Sequence, residues 1–154
     1  MATNFYKVAY DRLKVLIAAE FARLADTDRI AFEIGSDIET WNWSNLGYED
    51  SIKITPTVPA QATRLLLTSG EIVEFGLHIL YYKKINVNDN PLDNITAFSE
   101  NLMAMLIDNK DESSGFWNSM ELDLDYNIEL PEKYVKQNIY GFDLELTLTV
   151  GKFP

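Results

Sequence analysis

The 154-residue sequence contains no cysteine, and this absence excludes disulfides, thiolate nucleophiles and zinc–thiolate sites. Its single histidine, His78, excludes a multi-histidine metal site, and there is no Gly-rich phosphate loop. The longest apolar run, residues 77–82, is far shorter than the roughly 18 residues of a membrane span. The first residues also lack the basic and apolar segments of a signal peptide. We therefore expect no membrane association.

Basic residues are also scarce, with 13 lysines and arginines against 24 acidic residues and a net charge of −11. Tight nucleic-acid binding needs a basic surface, so this balance disfavours direct DNA or RNA binding. The acid is unevenly distributed, because residues 85–133 hold 11 acidic residues and two lysines. Such a surplus is typical of like-charge repulsion, a basic partner or high solubility.

What is present fits one α+β domain over residues 1–154, since 47 % of the residues are hydrophobic. Apolar residues at spacings of three and four predict helices at 3–25 and from Asn90-Pro91 to about residue 108. Alternating patterns predict strands at 29–35, 38–43, 50–58, 63–67, 71–84, 117–130 and 138–150. We expect a largely antiparallel sheet of about five to six strands with the two amphipathic helices packed on one face.

The last two predicted strands have the clearest alternation, apolar on one face and mostly acidic on the other. A short connection predicts that they are antiparallel neighbours, which brings their acidic residues to one face: Glu121, Asp123, Asp125, Glu129, Asp143 and Glu145. The simplest interpretation is a solvated strand face. Directly opposed like charges are destabilising, so water, counter-ions or a basic partner such as Lys53 or a neighbouring subunit must compensate the repulsion. Calcium binding and acid–base catalysis by paired carboxylates are the two sharper alternatives.

The remaining polar and aromatic candidates each allow a structural interpretation. His78 in mid-strand favours a partly buried, hydrogen-bonded histidine over a general base. Trp41, Trp43 and Trp117 are either core residues or aromatic anchors of a protein–protein interface. We assign no catalytic, cofactor-binding or metal-ligating residue.

Several segments resemble the tail terminator (tail completion) proteins of long-tailed bacteriophages, and together they span nearly the whole chain. YDRLKVLIAAEF is similar to the opening helix of that family, and EIVEFGLHILYYKK is similar to its long central strand. DNPLDNITAFSENLMAML resembles the helix that follows, FDLELTLTV resembles the last strand, and IKITPTVPAQATRLLL resembles a strand with a polar, Pro-containing stretch. The Trp-containing segment 41–48 has no counterpart in the family pattern.

The resemblance implies a non-enzymatic virion protein without a cofactor. Members form a ring, usually a hexamer, that caps the tail tube and joins it to the head connector, while DNA passes through the lumen. It implies self-association, contacts with tail tube and head completion proteins, and a place at the head-proximal end of the tail after assembly in the host cytoplasm. The acidic face is then the candidate lumen lining. The candidate subunit or partner contacts are Trp41, Trp43, Tyr48, Tyr82, Lys83, Lys84, Asn88, Asp89, Phe116 and Trp117. An acidic small-ligand or calcium-binding module is the alternative, and a small hydrolase ranks below both.

Overall fold

The computed structural model describes residues 5–25, 29–32, 50–56, 63–67, 70–86, 88–109, 117, 119–126 and 138–152. Its helices are α1 (Phe5–Glu20) and α2 (Pro91–Asp108), and a 3₁₀ turn at Ala22–Leu24 follows α1. Its strands are β1 (Ile30–Phe32), β2 (Asp50–Pro56), β3 (Thr63–Leu67), β4 (Gly70–Lys84), β5 (Ser119–Asp125) and β6 (Ile139–Lys152). The predicted α+β class is confirmed.

Strand β4 is the central strand of a six-stranded sheet. The strand order is β1-β2-β4-β6-β5, and β3 pairs with the first part of β4. Strands β1 and β2 are parallel, and every other described pair is antiparallel. One edge of β4 pairs with β6 from Glu71 to Lys84. The opposite edge pairs first with β3, as far as Glu74, and then with β2, from Leu77 onward. Two successive partners on that edge therefore account for a strand of this length.

Both helices pack on one face of the sheet, which we call the helix face. Tyr6 of α1 contacts Phe75 with 5.1 Å between ring centroids, and Phe98 of α2 stacks on Tyr81 at 4.1 Å. Phe75 and Tyr81 share a face of β4 because they are an even number of residues apart. Phe21, directly after α1, lies 4.8 Å from Phe98, so the aromatic cluster also joins the two helices. Strand β4 and its neighbours β2 and β6 complete this core with buried Leu77, Ile79, Ile52, Ile54, Phe142, Leu144, Leu146 and Leu148.

Helix α2 begins where the sequence predicts. The Asn90 side chain accepts a hydrogen bond from the Leu92 amide at 3.0 Å, and Pro91 occupies the first turn. Helix α1 is shorter than the predicted span of 3–25, because it ends at Glu20 and gives way to the 3₁₀ turn. Leu24, the last residue of that turn, is buried.

A buried ion cluster joins the 3₁₀ turn after α1 to the start of β2. The Asp50 carboxylate is 1 % exposed and pairs with the guanidinium groups of Arg23 and Arg29. It also accepts a hydrogen bond from the Tyr81 hydroxyl at 2.8 Å. Arg29 in addition donates to the Asp50 carbonyl at 3.1 Å and to the Arg23 carbonyl at 2.8 Å. The two guanidinium groups and the phenol hydroxyl therefore compensate the free-energy cost of burying the Asp50 carboxylate.

Three predicted strands, at 50–58, 117–130 and 38–43, lie partly or wholly outside the residues that the structure describes. Pro56 cannot donate to a ladder, so the sequence predicts that the strand at 50–58 is an edge strand or ends near Thr55. The first alternative is wrong, because β2 lies between β1 and β4, and the second agrees with the end of β2 at Pro56. In the described strands β1 pairs only with residues 52–54, so Pro56 lies beyond that ladder. The strand predicted at 117–130 is described only over Ser119–Asp125, and residues 127–130 lie outside the described ranges. The strand predicted at 38–43 also lies outside them.

Candidate functional site

The face of the sheet opposite the helices carries the polar residues of β2, β4, β5 and β6, and we call it the polar face. Strand pairing aligns these residues in rows that cross the sheet. One row contains Thr55, His78, Glu145 and Asp123, and the next contains Lys53, Leu80, Asp143 and Asp125. The predicted antiparallel pairing of the last two strands is confirmed, and it places their carboxylates on one face as expected.

Five carboxylates at the β5–β6 end of this face form what we call the acidic patch: Glu121, Asp123, Asp125, Asp143 and Glu145. Asp123 is directly opposite Glu145, and Asp125 is directly opposite Asp143. Like charges in such positions repel and weaken the pairing of the two strands. The β5 carboxylates are exposed and those of β6 partly so, which allows water to screen the repulsion. Glu129, the sixth predicted member, lies outside the described residues.

His78 borders the acidic patch and pairs with one of its members. Its Nδ1 atom lies 2.9 Å from Oδ1 and 3.1 Å from Oδ2 of Asp143. This hydrogen bond raises the pKa of His78, the charges of Asp143 and Glu145 act in the same sense, and burial opposes them. The prediction of a partly buried, hydrogen-bonded strand histidine is confirmed. The geometry stabilises a positive charge on the imidazole ring.

The polar face becomes buried toward β2, which alternation alone does not predict. Lys53 is 3 % exposed, and Ser51 and Thr55 are also buried. Tyr82, the neighbour of Ser51 across the β2–β4 pair, is buried as well. Burial, with a smaller effect of the Asp143 charge, raises the pKa of the Tyr82 hydroxyl well above its usual value. The polar face therefore has a buried end at β2 and an exposed acidic end at β5.

Gly141 marks the point where β6 passes closest to the buried end. A Cβ atom added there would overlap the Tyr81 carbonyl oxygen and lie 2.9 Å from Cδ1 of Tyr82. Real Cβ atoms do not approach other atoms this closely, so only glycine fits without a shift of the strand. The glycine thus lets the Tyr82 ring lie against β6.

The structure places the predicted subunit or partner contacts in three different situations. Tyr82 and Trp117 are buried within the chain, and the Trp117 indole nitrogen donates to the Asn109 carbonyl at 3.0 Å. Trp117 is therefore a core residue and Tyr82 a buried residue of the polar face, which corrects their place among the surface candidates. The exposed candidates are Lys84, Asn88 and Asp89, while Lys83 is partly buried beside Asn94. Trp41, Trp43, Tyr48 and Phe116 lie outside the described residues.

Sequence reasoning missed the ion cluster around Asp50. Its partners Arg23, Arg29 and Tyr81 lie between 21 and 31 residues away in the chain, and no short motif links them. The only available signal was an aspartate at the start of an apolar strand, and that is equally typical of a turn.

In the ranges that the structure describes, no group of three or more histidine, aspartate and glutamate side chains is arranged to hold a metal ion. No helix within those same ranges combines the length and apolar character needed to cross a membrane.

Comparison with known proteins adds no assignment, because neither a protein-family model nor a curated protein sequence matches the chain.

Proposed function

We propose that this chain is a non-enzymatic structural protein of a long-tailed bacteriophage that forms a ring, a homohexamer, at the head-proximal end of the tail tube. The ring stops polymerisation of the tube and joins it to the head connector. Its partners are further copies of itself, the tail tube protein and a head completion protein. DNA passes through the ring without being specifically bound. Assembly takes place in the host cytoplasm, and the mature location is the virion tail.

The observation that carries this proposal is the acidic patch. Carboxylates on β5 and β6 stand directly opposite each other, although this arrangement weakens the pairing of the two strands. Local arrangements that cost stability are expected where a function requires them. A surface along which DNA must slide is such a case, because carboxylates repel the phosphates and prevent the walls from holding the DNA.

The order of the elements supports the proposal independently of the charge. An N-terminal helix, a sheet built on one long central strand, a later helix and two closing strands are what the resemblance to tail terminators implies. The acidic patch lies on the face opposite the helices, so the helices and the candidate lumen surface occupy different sides of the sheet. A ring in which the helices face outward and the acidic patch faces inward is consistent with this arrangement.

Reversing the charge of β5 tests the proposal. We expect the triple variant Glu121→Lys, Asp123→Lys, Asp125→Lys to fold, because these side chains are exposed. The lysines at 123 and 125 would also face the β6 carboxylates of Glu145 and Asp143. The free energy of unfolding is expected to change by less than about 1 kcal/mol. Virions that carry the variant are expected to eject their DNA incompletely, since lysines in the lumen would bind phosphates. The measurement is the fraction of DNA released from purified particles.

A matched control carries the same change in net charge on the other side of the molecule. The variant Glu20→Lys, Glu100→Lys, Asp108→Lys alters three exposed helix residues and leaves the polar face unchanged. Its particles are expected to release DNA as the wild type does. If particles with lysines on β5 also assembled and ejected normally, the acidic patch would be a solvated surface and the conduit interpretation would be wrong.

A further inference from the structure

His78 lies on the polar face beside the acidic patch and contacts one of its carboxylates directly. It is opposite Thr55 of β2 on one side and opposite Glu145 of β6 on the other. Its imidazole reaches diagonally to Asp143, the residue opposite Leu80. Asp143 is in turn opposite Asp125, so the histidine connects to the carboxylates of both strands of the patch.

The described charged and titratable groups around His78 are predominantly acidic. Strand β6 contributes Asp143 and Glu145, and β5 behind it contributes Asp123 and Asp125. On the same face of β4 the nearest titratable groups are Glu74 and Tyr82, and on β2 the nearest is Lys53. A positive charge on the imidazole therefore has four carboxylates on its β6–β5 side.

We propose that His78 is a pH-responsive counter-charge of the acidic patch. When protonated, its Nδ1–H donates to the Asp143 carboxylate and offsets the repulsion between the facing carboxylates of β5 and β6. When neutral, it leaves the patch with its full negative charge. This inference concerns the folded protomer and does not depend on the proposed role in a phage tail.

The direction in which pH changes the stability follows from the difference between the pKa values of His78 in the folded and the unfolded chain. The hydrogen bond to Asp143 raises the pKa of His78 above the value of about 6.5 for an unfolded chain. The stabilisation is therefore fully present below about pH 6.5 and is lost as the pH rises through the higher pKa of the folded protein. Ordinary carboxylates are already ionised in this range, so histidine is the type of side chain whose charge ordinarily changes there.

The first test follows the imidazole by NMR, and the presence of one histidine in the whole chain makes its signals unambiguous. We expect the wild-type ring to titrate with a midpoint above 6.5. The variant Asp143→Asn is expected to lower that midpoint by about one pH unit, because the paired carboxylate is removed. Glu121→Gln is the matched control, since it removes an exposed carboxylate of the same patch that is opposite Thr147 and not His78. Its midpoint is expected to match that of the wild type.

The second test measures the urea midpoint of unfolding at pH 6 and pH 8. The wild-type midpoint is expected to be lower at pH 8, and the variant His78→Gln is expected to lose most of this difference. A wild-type NMR midpoint at or below 6.5 would overturn the proposal, and so would an unchanged midpoint in Asp143→Asn. If His78→Gln failed to fold, the NMR comparison of the wild type with Asp143→Asn and Glu121→Gln would still decide the question.

Discussion

Replacing Asp50 with alanine is expected to lower the free energy of unfolding by about 3–5 kcal/mol. The substitution removes the carboxylate that pairs with Arg23 and with the largely buried Arg29 guanidinium. It also removes the acceptor of the buried Tyr81 hydroxyl. Because the cluster joins the 3₁₀ turn after α1 to β2, the substitution is expected to lower the global stability of the fold. Urea denaturation at neutral pH measures it.

An exposed ion pair provides the control for the Asp50 substitution. Asp11 forms a pair with Lys7 one turn away on α1, and its side chain is 57 % exposed. Replacing Asp11 with alanine is expected to change the free energy of unfolding by less than about 0.5 kcal/mol, because solvent screens such pairs. Equal effects of the two substitutions would contradict the burial of the Asp50 cluster.

Replacing Phe98 with alanine is expected to cost about 3–5 kcal/mol. Its ring stacks on Tyr81 of the sheet, lies 4.8 Å from Phe21 and is covered by the Arg23 guanidinium at 5.1 Å. The substitution therefore leaves a cavity where α2, the end of α1 and β4 meet. Urea denaturation gives the loss of stability, and near-ultraviolet circular dichroism reports the loss of aromatic packing.

Leu92 supplies the comparison on the same helix, because it is 69 % exposed. Replacing it with alanine is expected to change the free energy of unfolding by less than about 0.5 kcal/mol. A small effect of Phe98→Ala, similar to that of Leu92→Ala, would show that α2 does not pack on the helix face as described.

The alternation of apolar and acidic residues was enough to predict the pairing of β5 with β6. Side chains alternate between the two faces of a strand, so burial of the apolar face determines which side chains share the other face. A short connection between two strands favours their pairing as antiparallel neighbours. The start of α2 was equally predictable, since the Asn90 cap and Pro91 act through bonds within one turn. Where local chemistry determines the structure, the sequence alone was sufficient.

Long-range features were not predictable in the same way. Alternation in β2 indicates that Lys53 and Thr55 share a face, but it does not indicate whether that face meets water, and both side chains are buried. Trp117 was open to a core or an interface interpretation, and only its packing and its bond to Asn109 decide for the core. The ion cluster of Asp50 depends on partners brought together by the complete fold.

The most direct test of the proposed function is the shape and mass of the protein's assembly. We would measure its mass by light scattering, with and without calcium, and image it by negative-stain electron microscopy after mixing with tubes of its cognate tail tube protein. The proposal predicts six-fold rings, located at one end of each tube. A protein that stays monomeric under all these conditions, leaves the tube ends bare and gains thermal stability when calcium is added would contradict the proposal and favour the calcium-binding alternative.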